Sequence, residues 1–226
     1  MPEDAKDLQA IYQSRFEQTA AYRGEVWELL APWFCRYFPD RCDSLLDLGC
    51  GYGEWVNRLT AKQRHAMDLN ADARRRLAPG VVFHEQDCTA AWPVSAGSLD
   101  VVVTSNFFEH LPNKDALRAT LLQAYRALRP GGRLIAMGPN IRYLPGRYWD
   151  FIDHHIALTD ASLGEALRLA GFTVTQAIPR FLPYSMVGGP RYPLVLLRLY
   201  LALRPAWALF GRQFLLVAEK PAQAVQ

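Results

Sequence analysis

The residues best placed to do chemistry gather first in Asp47-Leu48-Gly49-Cys50-Gly51-Tyr52-Gly53-Glu54, an acid and three alternating glycines behind the apolar pair Leu45-Leu46. Glycine is used where backbone must turn tightly or approach a ligand, and such an apolar run suits a strand buried on both faces of a parallel sheet. The spacing predicts a nucleotide-binding turn with a helix following over Glu54-Trp55-Val56-Asn57-Arg58-Leu59. A dinucleotide fingerprint has glycine at its sixth position, where Glu54 stands here. A carboxylate at a helix N-terminus competes with phosphate for the free N–H groups, so the expected ligand is phosphate-free and cationic. A second group lies in Tyr148-Trp149-Asp150-Phe151-Ile152-Asp153-His154-His155. An alcohol is a poor nucleophile until its proton leaves, and histidine is the side chain best matched to take that proton near neutral pH. His154 and His155 are the base candidates, with Asp153 able to orient one imidazole. Adjacent side chains point in different directions, so at most one of the two is expected at the reacting atom. A cation site from Asp150, Asp153 and His154 lacks a recognisable ligand pattern, and no metal is expected.

S-adenosylmethionine meets the ligand conditions, with a ribose and adenine at one end and an ammonium and a sulfonium at the other. The chain resembles the class I S-adenosylmethionine-dependent methyltransferases, whose first motif is an acid followed by Gly-x-Gly-x-Gly, as in Asp47 to Gly53. His65-Ala66-Met67-Asp68-Leu69-Asn70 is similar to their second strand, ending in the acid used on the ribose hydroxyls; Asp68 lies 19 residues after Gly49. Gln86-Asp87-Cys88 resembles the adenine-side acid after the third strand. Leu99 to Asn106, followed by Phe107-Phe108-Glu109-His110-Leu111, is similar to the fourth strand and the Glu-His-Leu turn of a large subgroup. Leu128-Arg129-Pro130-Gly131-Gly132-Arg133-Leu134 matches the turn into the fifth strand. The likeness spans residues 45 to 140 and, more loosely, Leu158 to Gly171-Phe172.

The resemblance implies S-adenosylmethionine as cofactor, bound by Asp47, Gly49, Cys50, Gly51, Tyr52, Gly53, Asp68, Leu69, Asp87, Cys88, Asn106 and Phe107, with Asp47 near the methionine ammonium. It implies His110 as a wall or packing residue, because the Glu-His-Leu turn accompanies unrelated acceptors. The loop at 148–155 with Leu158-Thr159-Asp160-Ala161-Ser162-Leu163 is similar to bacterial methyltransferases of cell-surface polysaccharide and natural-product pathways. The implied reaction is O-methylation of a glycan or small-molecule hydroxyl. A quinone- or lipid-type methyltransferase is the alternative within the subgroup, and a cofactor-binding scaffold without turnover is the non-enzymatic one.

These residues need a frame to hold them. Leu8, Ile11, Tyr12, Phe16, Val26, Trp27, Leu30 and Phe34 recur at mostly helical spacing, which predicts two helices before the sheet. Tyr12 and Arg15-Phe16 are candidates to cover the methionine end or the acceptor. Strands are expected at about 64–68, 81–86, 99–104 and 132–137, with helices over Lys114–Leu128 and Asp160–Ala170. A strand through Phe172-Thr173-Val174 toward Phe181 and an antiparallel last strand over Gln213–Ala218 complete the expected fold. That fold is α/β, a doubly wound Rossmann-like seven-stranded sheet with an antiparallel last strand, an N-terminal helical cap and a C-terminal helical insertion. The expectation is one domain over 1–226, with 1–40 as cap, 41–140 as cofactor core and 141–226 as acceptor-side loop, insertion and last strands. Ligands in such sheets bind beyond the carboxyl ends of the strands at the switch point, which gathers Gly49–Gly53, Asp68, Asp87, Asn106 and Pro139-Asn140 on one rim.

Half of the 226 residues are hydrophobic, enough for a substantial core. A formal charge of +3 gives no nucleic-acid footprint, and Arg74-Arg75-Arg76 reads as a solvated helix face. Four cysteines without a Cys-x-x-Cys pair point to a reducing compartment, and the acidic N-terminus lacks the order of a secretory signal, so cytoplasmic residence is expected. The insertion, roughly Leu182 to Gly211, is densely apolar over 190–210, yet Arg198 and Arg204 make it a poor membrane span. From Arg180 onward there are six basic residues against the one acid Glu219. Peripheral membrane contact at the inner face of a membrane, a homodimer seam and a lid on its own sheet are the three readings.

Overall fold

In the computed structural model, residues 19–184 and 191–222 are described. The sheet is built outward from β1 (Ser44–Leu48), which is buried at every position, as its apolar run requires. β2 (Gln63–Asp68) and β3 (Val81–Glu85) extend it on one side. β4 (Leu99–Ser105), β5 (Leu128–Pro139), β6 (Thr173–Ile178) and β7 (Gln213–Glu219) extend it on the other. The order is β3-β2-β1-β4-β5-β7-β6, with β1 to β5 parallel and β7 antiparallel to both β5 and β6. The order reverses between β1 and β4, which puts the switch point at the carboxyl ends of those two strands.

Period-two alternation along β1 sends Leu46 and Leu48 to one face and Leu45 to the other. On the first face lies α2 (Lys114–Ala127), capped by Asn113, whose side chain accepts from Ala116 N, and presenting buried Leu117, Leu121 and Ala124 at helical spacing. Beside it lies α3 (Asp160–Leu169), started by a Thr159/Ser162 capping box and followed by Gly171 at a φ of 98°. On the second face α1 (Ala20–Phe34) buries Trp27, Leu30, Trp33 and Phe34. Of the two expected leading helices this is the described one; Leu8, Ile11, Tyr12, Arg15 and Phe16 lie outside the described residues.

Two helix expectations change. No α-helix follows the glycine turn; residues 54–59 form turns and a three-residue 3-10 segment, Val56–Arg58. The connection from β1 to the parallel β2 is only the 14 residues Gly49–Lys62, and after the glycine turn little remains for a helix that must also return the chain to the far end of the sheet. Tertiary partners also claim its polar groups: Val56 N donates to Asp47 Oδ2, and Asn57 bridges Arg76 O and Ala78 N. Arg74-Arg75-Arg76 likewise falls in a 3-10 segment, Ala71–Arg76.

The C-terminal helical insertion, read as a lid, a dimer seam or a membrane contact, packs its inner side into the core. It holds α4 (Leu194–Ala202) and α5 (Arg204–Phe210). Leu201 and Trp207 are buried, and Trp207 meets Phe181 edge-on at 5.1 Å and Trp33 at 5.7 Å. Among the described residues no helix is long and apolar enough to cross a membrane.

Candidate cofactor and acceptor site

β1 ends in Asp47-Leu48 and hands the chain to Gly49, Gly51 and Gly53, at φ of 67°, 53° and 74°. That left-handed region is open to glycine and costly for most side chains. Gly49 N and Cys50 N donate to Met67 O at 2.9 and 3.1 Å, and Gly51 N donates to Asp68 Oδ2 at 2.8 Å. The other Asp68 oxygen accepts from Asn70 N at 2.8 Å. The ends of β1 and β2 are thus joined through one carboxylate. A Cβ on Gly49 would stand 2.2 Å from the Phe107 ring, so the space Gly49 keeps open is filled by Phe107. Beside it Asn106 adopts a φ of 50°, with its N–H on Met137 O and an exposed side chain. A non-glycine residue held in that region at a strand end is a strained conformation of the kind found at ligand sites.

The electrostatics of this rim are set by buried acids. Burial pushes the Asp47 carboxyl up to about 8, against the opposing pull of the Val56 N–H, with Glu54 and Asp68 adding repulsion. Asp68 is also raised by burial, opposed by the N–H groups of Asn70, Gly51 and Leu69 and by the nearby His110. Glu54 turns away to pair with Arg23 at 3.0 Å. The helix-terminus argument against phosphate therefore does not apply as the sequence suggested it. The same exclusion arises instead from buried Asp47 and half-buried Asp68 at neighbouring strand ends, where a cationic ligand favours both carboxylates and a pyrophosphate meets acids alone.

The other expected cofactor residues divide. Leu69 is 49% exposed at the end of β2, an apolar surface on the rim. Asp87 is exposed, and its Oδ1 accepts from Thr89 N at 2.8 Å. Cys88 is turned inward, its sulfur 3.2 Å from Thr120 Oγ1, and Cys50 is buried. The Tyr52 ring lies under the Arg76 guanidinium at 3.9 Å.

A second polar group forms where the turn after β4 meets the acceptor loop. Glu109 is 1% exposed, and its Oε1 has no hydrogen-bond partner. Burial raises its carboxyl to about 7, opposed by His110 and supported by Asp153. Its carbonyl oxygen accepts from His155 N and Ile156 N, which stitches the loop to the turn. His110 Nδ1 lies 2.9 Å from Asp153 O and 3.2 Å from Asp153 Oδ2, and its Nε2 is 4.0 Å from Glu109 Oε1. Burial alone would lower the His110 pKa; the Asp153 hydrogen bond and the Glu109 charge outweigh it and raise it. His154 is buried, its ring 4.9 Å from those of both His110 and Tyr148, while His155 is exposed. One ligand atom from each of Glu109, His110 and His154 lies within 4.8 Å of the others, a spacing that could accept a divalent cation. The sequence reading set Glu109-His110 apart from Asp153-His154; their 43-residue separation hid a single cluster.

A cleft at the opposite end of the strands, lined by Arg41, Asp43, Lys62, Asp100 and Arg129, is a structural lock. Asp100 there accepts from Asp43 N and Ser44 N and pairs with Arg129.

Residues 19–177 match the family model described as a methyltransferase domain. The chain belongs to the S-adenosylmethionine-dependent methyltransferases, enzymes of the EC 2.1.1 type, and its cofactor is S-adenosylmethionine. The solved structures that share its fold include a methyltransferase of Haloferax volcanii in complex with the Trm112 methyltransferase activator, at 18% identity and a TM-score of 0.67 over 91% of this chain and 95% of that one. An S-adenosylmethionine-dependent methyltransferase of Archaeoglobus fulgidus matches at 18% identity and 0.66 over 91% and 99%. The [4+2]-cyclase SpnF matches at 22% and 0.60 over 87% and 81%. No curated protein matches the chain. The order β3-β2-β1-β4-β5-β7-β6 with antiparallel β7 is the class I arrangement expected from the sequence.

Proposed function

We propose that the chain methylates a hydroxyl oxygen of a glycan or small molecule, with His110 as the group that takes the hydroxyl proton. The observation that carries this reading is the Asp153–His110 pair. With Asp153 accepting from Nδ1–H, the neutral ring keeps its lone pair on Nε2, and at 4.0 Å Glu109 is too far to claim it by a hydrogen bond. This moves the base from His154 and His155, favoured by sequence, to their neighbour across the cluster. His154 becomes the packing wall against which the His110 ring is held.

S-adenosylmethionine supplies an electrophilic methyl group on a sulfonium. The chain has to align that carbon with the acceptor and hold the cofactor still, and positioning of this kind accounts for much of the rate in such displacements. Backbone at Gly49, Gly51 and Asn106 would hold the amino-acid end, Asp68 the ribose hydroxyls, and Leu69 the face of the adenine. Asp47 would face the ammonium. Since its carboxyl sits at about 8 in the free chain, the cation must displace a proton when it binds near neutral pH. Affinity for S-adenosylhomocysteine should therefore rise with pH, by up to about tenfold per unit, until it levels off near that value. Calorimetry in buffers of differing ionisation enthalpy reads the released proton directly. Flat affinity across this range would remove Asp47 from the ammonium site.

The buried, unpartnered Glu109 Oε1 favours a second way of activating the hydroxyl, a divalent cation held by Glu109, His110 and His154. The acceptor itself is found by incubating the enzyme and methyl-labelled S-adenosylmethionine with a library of glycans and small-molecule alcohols, followed by mass spectrometry. Label on oxygen supports the reading, whereas label on nitrogen or carbon overturns it.

A further inference from the structure

We infer that the outer face of α4 and α5 is a docking surface for an anionic lipid bilayer, which holds the rim carrying the acceptor loop at the membrane. The inner stripe of α4, Leu194, Leu197 and Leu201, packs into the core with Trp207 of α5. A helix packed this way on a globular surface normally turns a polar stripe to solvent. Here Val195, Leu196, Leu199, Leu203, Leu209 and Phe210 are 49–64% exposed instead. Clustered exposed apolar side chains on otherwise well-packed helices mark an interaction surface.

Charge selects the occupant. Arg191, Arg198 and Arg204 border or interrupt this face, and the sequence contains no acid between Glu165 and Glu219. A second copy joined about a two-fold axis would bring these arginines against arginines, with no acid on either α4 or α5 to pair them. An anionic bilayer accepts both components, with apolar side chains entering the headgroup boundary and arginines snorkelling to the phosphates. The helices run nine and seven residues, too short to span, so the contact is peripheral.

The face also lies at the correct end of the molecule. α5 ends at Phe210 and is capped by Gly211, the next carbonyl, Arg212 O, accepts from Asn140 N at 2.9 Å, and Gln213 pairs with Pro139 at the carboxyl end of β5. Arg180 fastens this end by donating to the carbonyls of Leu209 and Gly211. The acceptor loop exposes Trp149 at 51% and Ile152 at 86%, and its Phe151 meets Tyr184, on the approach to α4, edge-on at 6.0 Å. An acceptor carried by a lipid could then reach the Glu109–His110 cluster without leaving the surface. That consequence rests on the proposed hydroxyl transfer, but the docking does not, so vesicle binding and methyl transfer can fail independently.

The test is co-sedimentation of the full chain with phosphatidylcholine vesicles, with and without phosphatidylglycerol, at low and high salt. Pelleting is expected with phosphatidylglycerol at low salt, and a fall of at least about fivefold, roughly the contribution of one arginine, when the anionic lipid is omitted or salt is raised. A Leu199→Glu/Leu203→Glu variant, whose melting temperature and S-adenosylhomocysteine affinity should match wild type because both side chains are exposed, should stay in the supernatant. If that variant fails to fold, Arg198→Gln/Arg204→Gln should show the same loss. Absence of pelleting under every condition, pelleting unchanged in folded variants, or a wild-type dimer that the variants dissociate would each overturn the inference.

Discussion

Turnover of His110→Ala should fall by about 10²–10⁴-fold, the usual worth of a positioned proton acceptor, while its affinity for S-adenosylhomocysteine stays near wild type. The base must be neutral to act. Burial lowers the His110 pKa but the Asp153 hydrogen bond and Glu109 charge raise it above its ordinary 6.5, so wild-type turnover should climb with pH through a limb on the alkaline side of that value and then level off. The limb should vanish in His110→Ala. Asp153→Asn should keep the fold but lower the limb's pKa, because it removes the charge that favours the imidazolium. Steady-state kinetics of the three proteins across pH supply the check. Wild-type turnover in a folded His110→Ala would sink the assignment. Loss of activity with a chelator and its return with a transition-metal ion would instead assign hydroxyl activation to a cation on Glu109, His110 and His154.

The features legible in the sequence are those with a local cause. Gly49, Gly51 and Gly53 announced the turn because each takes a positive φ that few other residues accept. Strand β1 announced itself because burial on both faces demands an unbroken apolar run, and α2 because Leu117, Leu121 and Ala124 recur on one side behind an Asn113 cap. What stayed hidden depends on partners far apart in the chain. The sequence places Glu54 toward a ligand, but Arg23, 31 residues earlier, holds it. Nothing near His110 in the chain reveals its partner Asp153, 43 residues on, and the Phe107 ring over Gly49 comes from another strand end altogether. The missing helix after the glycine turn follows from the short return to β2 and from Asp47 taking the Val56 N–H, neither visible in an 11-residue periodicity window. Lid, seam and membrane readings of 190–210 stay open in the sequence because its outer residues are as apolar as its inner ones, which erases the contrast that marks the packed side of a helix.

Gly51→Val should abolish measurable cofactor binding. Gly51 is buried at a φ of 53°, where a Cβ crowds the backbone at a cost of about 1–2 kcal/mol, more for a β-branched side chain. The chain can relieve that strain only by rotating the peptide. Rotation takes the Gly51 N–H off Asp68 Oδ2, a 2.8 Å bond, and frees a carboxylate that burial already destabilises. One substitution thus displaces two groups proposed to contact the cofactor, the turn backbone and the ribose acid. The overall fold should survive, because the turn lies at the rim and the strands beneath it keep their pairing. Calorimetry with S-adenosylhomocysteine is expected to show at least about a 100-fold loss, the equivalent of two charged hydrogen bonds at the lower end of their range. Gly51→Ala should fall between the two, since it carries the left-handed strain without the second branch. A folded Gly51→Val protein that binds at wild-type affinity would place the cofactor somewhere other than the turn between β1 and β2.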